Sequence, residues 1–208
     1  LSKLIADMLS FDLFLVPLEK PSLLGKSNEL LASYRLDNLS SAHASLQALL
    51  NASPSPHTIQ SAVFWDHEEI GSCSYTGAKS DFALQTLERI CLCLQMDRQG
   101  FMRLTANSLC LSLDVAHGFH PNFSEKFDPQ NTPHLGKGIV FKFNADQKYA
   151  TSAKTSAPLI HLCKEHKIPY QFFAARSDTP SGSTGGSFMA SKLGIRTIDL
   201  GIAPWAMH

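Results

Sequence analysis

Hydrophobic and polar positions follow two rhythms along this chain. Short apolar runs recur at residues 61–65, 108–113, 139–143, 170–174 and 197–202, and such runs read as strands buried in a sheet. Between them apolar residues fall three and four apart, the spacing of one helix face. Leu39, Ala42, Leu46, Leu49 and Leu50 make one such stripe, and Ala83, Leu87, Ile90, Cys91 and Leu94 make a second within 81–94. Residues 151–167 and 186–193 carry two more. The stretch 11–18 is strand-like until Pro17 disturbs it, and 21–25 reads as a turn. Pro54 and Pro56 stop the first helix, because proline lacks the amide that continues it. Pro158 suits the third helix only near its first turn, and Gly194 ends the fourth. Residues 121–137 form a polar loop. Strands alternating with helices predict an α/β fold, a sheet covered by helices.

Composition narrows the partners. The chain has 208 residues, of which 44% are hydrophobic, enough for one domain with its own core. Eighteen basic side chains balance eighteen acidic ones, so no net field is available to hold a polyanion and no nucleic-acid partner is expected. No apolar run approaches the roughly 20 residues needed to cross a bilayer, so no membrane partner is expected either. The opening segment is too short and too charged for a secretory signal. Five cysteines, an odd number lying mostly in apolar stretches, read as reduced thiols of a cytoplasmic protein. Cys91-Leu92-Cys93 lacks zinc spacing and reads as two thiols on one helix.

The chemistry lies where the apolar runs end. Tyr34-Arg35-Leu36 runs into Asp37-Asn38, and 61–65 into Asp66-His67-Glu68-Glu69. Leu111-Ser112-Leu113 runs into Asp114, and the last strand reaches His208 through Pro204-Trp205-Ala206-Met207. Ligands in open α/β sheets sit at the carboxyl ends of strands, so four distant segments bring Asp, Glu and His to one rim. Carboxylates that face one another without a cation repel. One divalent ion, or two about 3.5–4 Å apart sharing a carboxylate and a water, resolves that conflict. Acidic pairs are common and usually solvated. Glu68-Glu69 is set apart by following an apolar run and preceding Ile70-Gly71-Ser72. In extended backbone the two would point opposite ways, one to metal and one to its water as general base. Asp114 with His117 forms a second dense spot, as ligand and hydrogen-bond donor. The glycine-rich run 179–186 could cradle an oxyanion or serve only as a turn. Lys142 and Tyr149 read by default as an exposed cation and a packed ring. His43, His57, His134, His161 and His166 read as solvated.

Taken in order, five motifs resemble the aspartyl aminopeptidases: Arg35-Leu36-Asp37-Asn38, Asp66-His67-Glu68-Glu69-Ile70-Gly71-Ser72, Asp114 to His117 with His120-Pro121-Asn122, Asp178 to Thr184, and Ala206-Met207-His208. The resemblance implies a three-layer α/β/α sandwich with a mixed central sheet, like the zinc exopeptidases. It implies an aminopeptidase that removes N-terminal Asp or Glu from peptides through two zinc ions, with manganese or cobalt as alternatives. Asp37 would bridge both metals, and Glu68 would be general base and acid. Glu69 and His208 would bind one metal and Asp114 the other. His117, Lys142 and Tyr149 match positions that contact substrate, and a cation such as Lys142 suits an acidic side chain. Members of that family assemble into large homo-oligomers, commonly dodecamers.

Two departures qualify the match. The family supplies a further metal ligand from an early His-Xaa-Asp motif, and no histidine precedes Asp37 here. The family also carries an intervening dimerisation domain, of which residues 1–25 would be the tail and 26–208 the catalytic domain. The expectation is a segment whose second metal shell lacks a ligand and which works poorly alone. His67 replaces a polar residue common in relatives, a change expected to be tolerated. Rival readings are a related exopeptidase or deacylase of different preference, and a catalytically silent assembly subunit.

Overall fold

The computed structural model describes residues 7–179 and 181–208. The first six residues of the expected tail, and Pro180 of the glycine-rich run, lie outside them. The chain divides into two compact units, one ending at Tyr34 and the other running Arg35–His208. In the first, β1 (Ser22–Leu24) and β2 (Leu30–Ala32) form an antiparallel hairpin with Leu23 opposite Leu31. The reversal therefore falls later than the turn read at 21–25. Residues 11–18, expected as a strand, take neither helix nor strand, and Leu13, Phe14 and Leu15 are exposed. Apolar character alone makes no strand where no partner answers the backbone amides.

The second unit is built on a four-stranded sheet, β3 (Leu109–Leu113), β4 (Ile139–Phe143), β5 (Tyr170–Ala174) and β6 (Arg196–Gly201), in the order β3-β6-β4-β5. β3 runs parallel to β6 and β4 parallel to β5, while β6 and β4 are antiparallel, so the sheet is mixed. The helices are α1 (Leu36–Asn51), α2 (Phe82–Cys93), α3 (Arg98–Asn107), α4 (Ala153–Glu165) and α5 (Gly185–Leu193).

Alternation along β6 sorts the two faces. Ile198 and Leu200, with Phe141 of β4, pack under Leu159, Ile160 and Cys163 of α4. On the other face Met189 and Leu193 of α5 join Phe101 of α3, Ala83 and Cys91 of α2 and Cys110 of β3. Helices on both faces make the three layers, as expected.

Local chemistry fixes the helix ends. Asp97 accepts from the Gly100 amide and starts α3, which the periodicity did not reveal. Ser152 and Thr155 form a capping box that starts α4. Gly194, at φ 64°, ends α5. Pro158 is the sixth residue of α4, deeper than expected, on a solvent-exposed side where water can take the carbonyl it frees.

Three expectations about burial change. Residues 61–65 form no strand, and Val63 and Phe64 are exposed; no strand pairs with them among the described residues. The stripe on α1 is helical, but Leu39, Leu46 and Leu50 face solvent. Leu94 is likewise exposed, because α2 ends at Cys93 and Leu94 caps it. All five cysteines are free thiols, with Cys91 and Cys163 buried and Cys73 and Cys93 exposed. Among the described residues no helix is long and apolar enough to cross a membrane.

Candidate metal centre

Backbone pairing beyond the sheet assembles the site. After β3 the chain stays alongside the segment after β6: Asp114, Ala116 and Gly118 donate their amides to the carbonyls of Leu200, Ile202 and Pro204. Gly201 permits this approach, since a Cβ there would collide with the Asp114 carbonyl. The C-terminal segment then meets the start of α1. The Asp37 amide donates to the Met207 carbonyl at 2.9 Å and the Arg35 amide to the His208 carbonyl at 3.3 Å. Asn38 Nδ2 donates to the Leu113 carbonyl at 2.8 Å, tying the same turn to the residue before Asp114.

Asp37 is therefore not at a strand end, as the sequence suggested. It occupies a non-helical position in the first turn of α1, behind Arg35 in the left-handed region at φ 56°. Glu68 and Glu69 also depart from the expected extended backbone. They lie in a tight turn in which the Gly71 amide donates to the Glu68 carbonyl and the Ser72 amide to that of His67. His67 Nδ1 is 2.7 Å from Ser74 Oγ, so its ring braces this turn from outside.

The three segments converge. One ligand atom each from Asp37, Glu69 and His208 lies within 4.8 Å of the others. His208 Nε2 is 3.1 Å from Glu69 Oε1 and 3.8 Å from Asp37 Oδ2. Two carboxylates and an imidazole are a donor set for zinc. Burial, then the charges of Asp114 and Glu69, push the Asp37 carboxyl up to about 7. Burial, then the same Asp114 and Glu69 charges, also raise Glu68, against the opposing charges of Lys142 and His208. A cation bound at this place would relieve such crowding of carboxylates.

Asp37, Glu68, Glu69, Asp114, His117 and Tyr149 all line one cavity of about 320 Å³. Burial, then the charge of Lys142, lowers the His117 imidazole and favours its neutral form. Burial, then Asp114, pushes the Tyr149 hydroxyl up to about 12, so it stays protonated. Lys142 is not an exposed cation. It is 1% exposed, its Nζ donates to Asp114 Oδ2 at 2.9 Å and to the Val115 carbonyl at 3.1 Å, and it stands 5.1 Å over the Tyr149 ring. The five histidines read as solvated are all exposed.

Residues 182–184 of the glycine-rich run also line the cavity, with Ser72 and Met207, which the sequence named only as members of motifs, and Lys79 and Phe188, which it did not single out. The signal for Lys79 was its nearness in sequence to Glu68-Glu69; Phe188 carried none beyond its apolar character. Behind the wall, Asp199 is fully buried and accepts from the Ala150 amide at 2.6 Å and from the Thr184 hydroxyl.

Comparison with known proteins gives the chain's relatives. A family model described as aminopeptidase I zinc metalloprotease (M18) matches residues 2–208. A probable M18 family aminopeptidase 2 of Pseudomonas aeruginosa is 42% identical over 201 residues, covering 97% of this chain and 46% of that protein. The crystal structure of an M18-family aminopeptidase from Thermotoga maritima superposes with a TM-score of 0.82 at 28% identity, over 90% of this chain and 43% of that one. The mApe1 dodecamer of S. cerevisiae superposes at 0.74 with 30% identity, over 91% of this chain and 43% of that one. The chain thus spans about half the length of the relatives it matches.

Proposed function

The chain belongs to the aminopeptidase I zinc metalloprotease (M18) family, and from that premise we propose that it supplies the metal-binding and catalytic residues of an aminopeptidase acting on peptides with an N-terminal Asp or Glu. One observation carries the reading. Asp37, Glu69 and His208, far apart in sequence, present ligand atoms within 4.8 Å of one another. Zinc held there polarises a peptide carbonyl and makes water a nucleophile near neutral pH.

The roles follow from position. Glu69 and His208, with Asp37, would hold one ion, and Asp37 and Asp114 would contribute to a second. Manganese and cobalt suit the same donors. Glu68 lies beside the ligands without being one, and its raised pKa suits a group that takes a proton from water and returns it to the leaving amine. His117, held neutral, and Tyr149, held protonated, line the same cavity and carry groups that can hydrogen-bond the substrate. The dodecamer described for mApe1 makes a homo-oligomer the expected assembly, and free thiols throughout suit a reducing cytoplasm.

A second reading, an exopeptidase of other side-chain preference, is favoured by the burial of Lys142 and its commitment to Asp114. Zinc titration of the purified chain, with hydrolysis of Asp-, Leu- and Lys-terminated amides, tests both. Zinc binding with fastest cleavage of the aspartyl substrate is expected. Absence of zinc binding removes the peptidase reading, and a preference for Leu selects the second.

A further inference from the structure

Buried polar groups in folded proteins find hydrogen-bond partners, and one without a partner beside a cavity points to a ligand. Three hydroxyls on the cavity wall belong to buried residues, Ser72, Tyr149 and Thr184. Thr184 gives its hydroxyl to Asp199 behind the wall. Tyr149 and Ser72 give theirs to nothing among the described residues, where every fully enclosed side-chain oxygen or nitrogen is paired. Their oxygens are therefore not enclosed, and the opening left to each is the cavity it lines. Tyr149 already has a proposed role against substrate. Ser72, only 2% exposed, has none.

The backbone holds Ser72 in an uncommon position. Its φ of 61° lies in the left-handed region, which few residues other than glycine, asparagine and aspartate adopt. Such a conformation persists where surrounding contacts over-determine it. Here the Ser72 amide donates to the His67 carbonyl at 2.9 Å, and the Ser72 carbonyl accepts from the Lys79 amide at 3.2 Å. Gly77 closes on that same carbonyl, where a Cβ would lie 2.5 Å from the oxygen. These contacts fix the base of the side chain, just after Glu68-Glu69, before any ligand arrives. Such ordering lowers the cost of engaging one.

We propose that the Ser72 hydroxyl hydrogen-bonds the bound peptide beside the metal, as a substrate-binding residue alongside His117 and Tyr149. The inference rests on the aminopeptidase reading above. The parts of a peptide that belong next to the metal are its free α-amine and its scissile carbonyl. A hydroxyl serves either, accepting from the amine or donating to the carbonyl.

The test is calorimetry on the zinc-loaded chain with L-aspartate α-hydroxamate and its analogue without the amine, succinic monohydroxamate. Ser72→Ala should weaken the first about fivefold to tenfold, the loss of one hydrogen bond. Loss confined to that ligand assigns the hydroxyl to the amine, and equal loss in both assigns it to the carbonyl. Ser72→Gly separates the hydroxyl from the backbone, since glycine accepts the left-handed conformation that alanine resists. Both variants should lose the same affinity while zinc content and circular dichroism stay at the wild-type level. If Ser72→Gly binds as the wild type does, or if the lost affinity comes with lost zinc, Ser72 only shapes the turn, and the inference is overturned while the aminopeptidase reading stands. If the wild type binds neither ligand, that reading falls and this inference with it.

Discussion

The ammonium of Lys142 sits 2.9 Å from Asp114 Oδ2 with its own side chain 1% exposed. A buried lysine here balances a carboxylate proposed to bind metal, and its absence would leave Asp114 facing Asp37 and Glu68 unneutralised. Removing one partner of a buried pair typically costs about 3–5 kcal/mol; Asp114 keeps some solvent contact, so Lys142→Met should cost about 2–3 kcal/mol, read from the midpoint of urea unfolding. A variant as stable as wild type, with only substrate affinity changed, would give Lys142 the substrate-reading role the resemblance implied.

Glu68 and Glu69 should separate by what each mutation removes. Glu68→Gln preserves shape and should bind zinc as wild type does while hydrolysis falls about 10²–10⁴-fold. Glu69→Ala removes a proposed ligand beside His208 and should weaken zinc about 100-fold or more. Metal analysis after dialysis, set beside turnover, checks both. Zinc loss in the Glu68 variant would exchange the two roles.

What was legible in the chain was whatever local pattern and motif could carry. Strands β3 to β6 and helices α2, α4 and α5 were visible because their periodicity broadly agrees with their burial, and α1 was visible from its helical spacing although Leu39, Leu46 and Leu50 face solvent. Helix α3 was missed, because its start rests on a single cap, Asp97 to the Gly100 amide. Residues 61–65 were misread because strand character depends on a neighbour that no local window contains. The site residues could be named from motif order, but their convergence depends on long-range pairings such as the Asp37 amide to the Met207 carbonyl. The fate of Lys142 was invisible for the same reason: its position on β4 predicts a side, not the carboxylate opposite.

The pH response of the protein without zinc follows from Asp37, whose carboxyl is raised from 3.8 to about 7. A raised folded-state pKa means that the folded chain holds this proton more tightly than the unfolded one. Its contribution to stability is complete below 3.8 and is lost as pH rises through about 7. Thermal melts in chelator should therefore show this contribution declining from pH about 4 to about 7, and Asp37→Asn should flatten that decline. Zinc requires the carboxylate, so zinc affinity should rise with pH across the same window, with proton release on binding. A zinc affinity that is flat across the window would remove Asp37 from the ligand set.

Asp199 is the buried post on which two walls of the cavity hang. It holds the Ala150 amide next to Tyr149 and the Thr184 hydroxyl at the start of α5, while its own amide donates to Thr151 Oγ1 at 2.9 Å. Asn in its place presents an amide N–H to one of these donors, leaving a buried group unpaired at a cost of about 1–3 kcal/mol. Gly186 belongs to the same construction. A Cβ there would lie 2.6 Å from Ser112 Oγ and 2.7 Å from Asp199 Oδ1, so α5 can approach the sheet only with glycine at this position. Asp199→Asn and Gly186→Ala should each lower the unfolding midpoint. Because each moves the wall carrying residues 182–184, each should also weaken binding of the amino acid hydroxamates while zinc content stays at the wild-type level. The double variant should cost less than the two single costs added, since both disturb one contact. Strict additivity would mean that the two walls are held independently and that Asp199 is not the post they share.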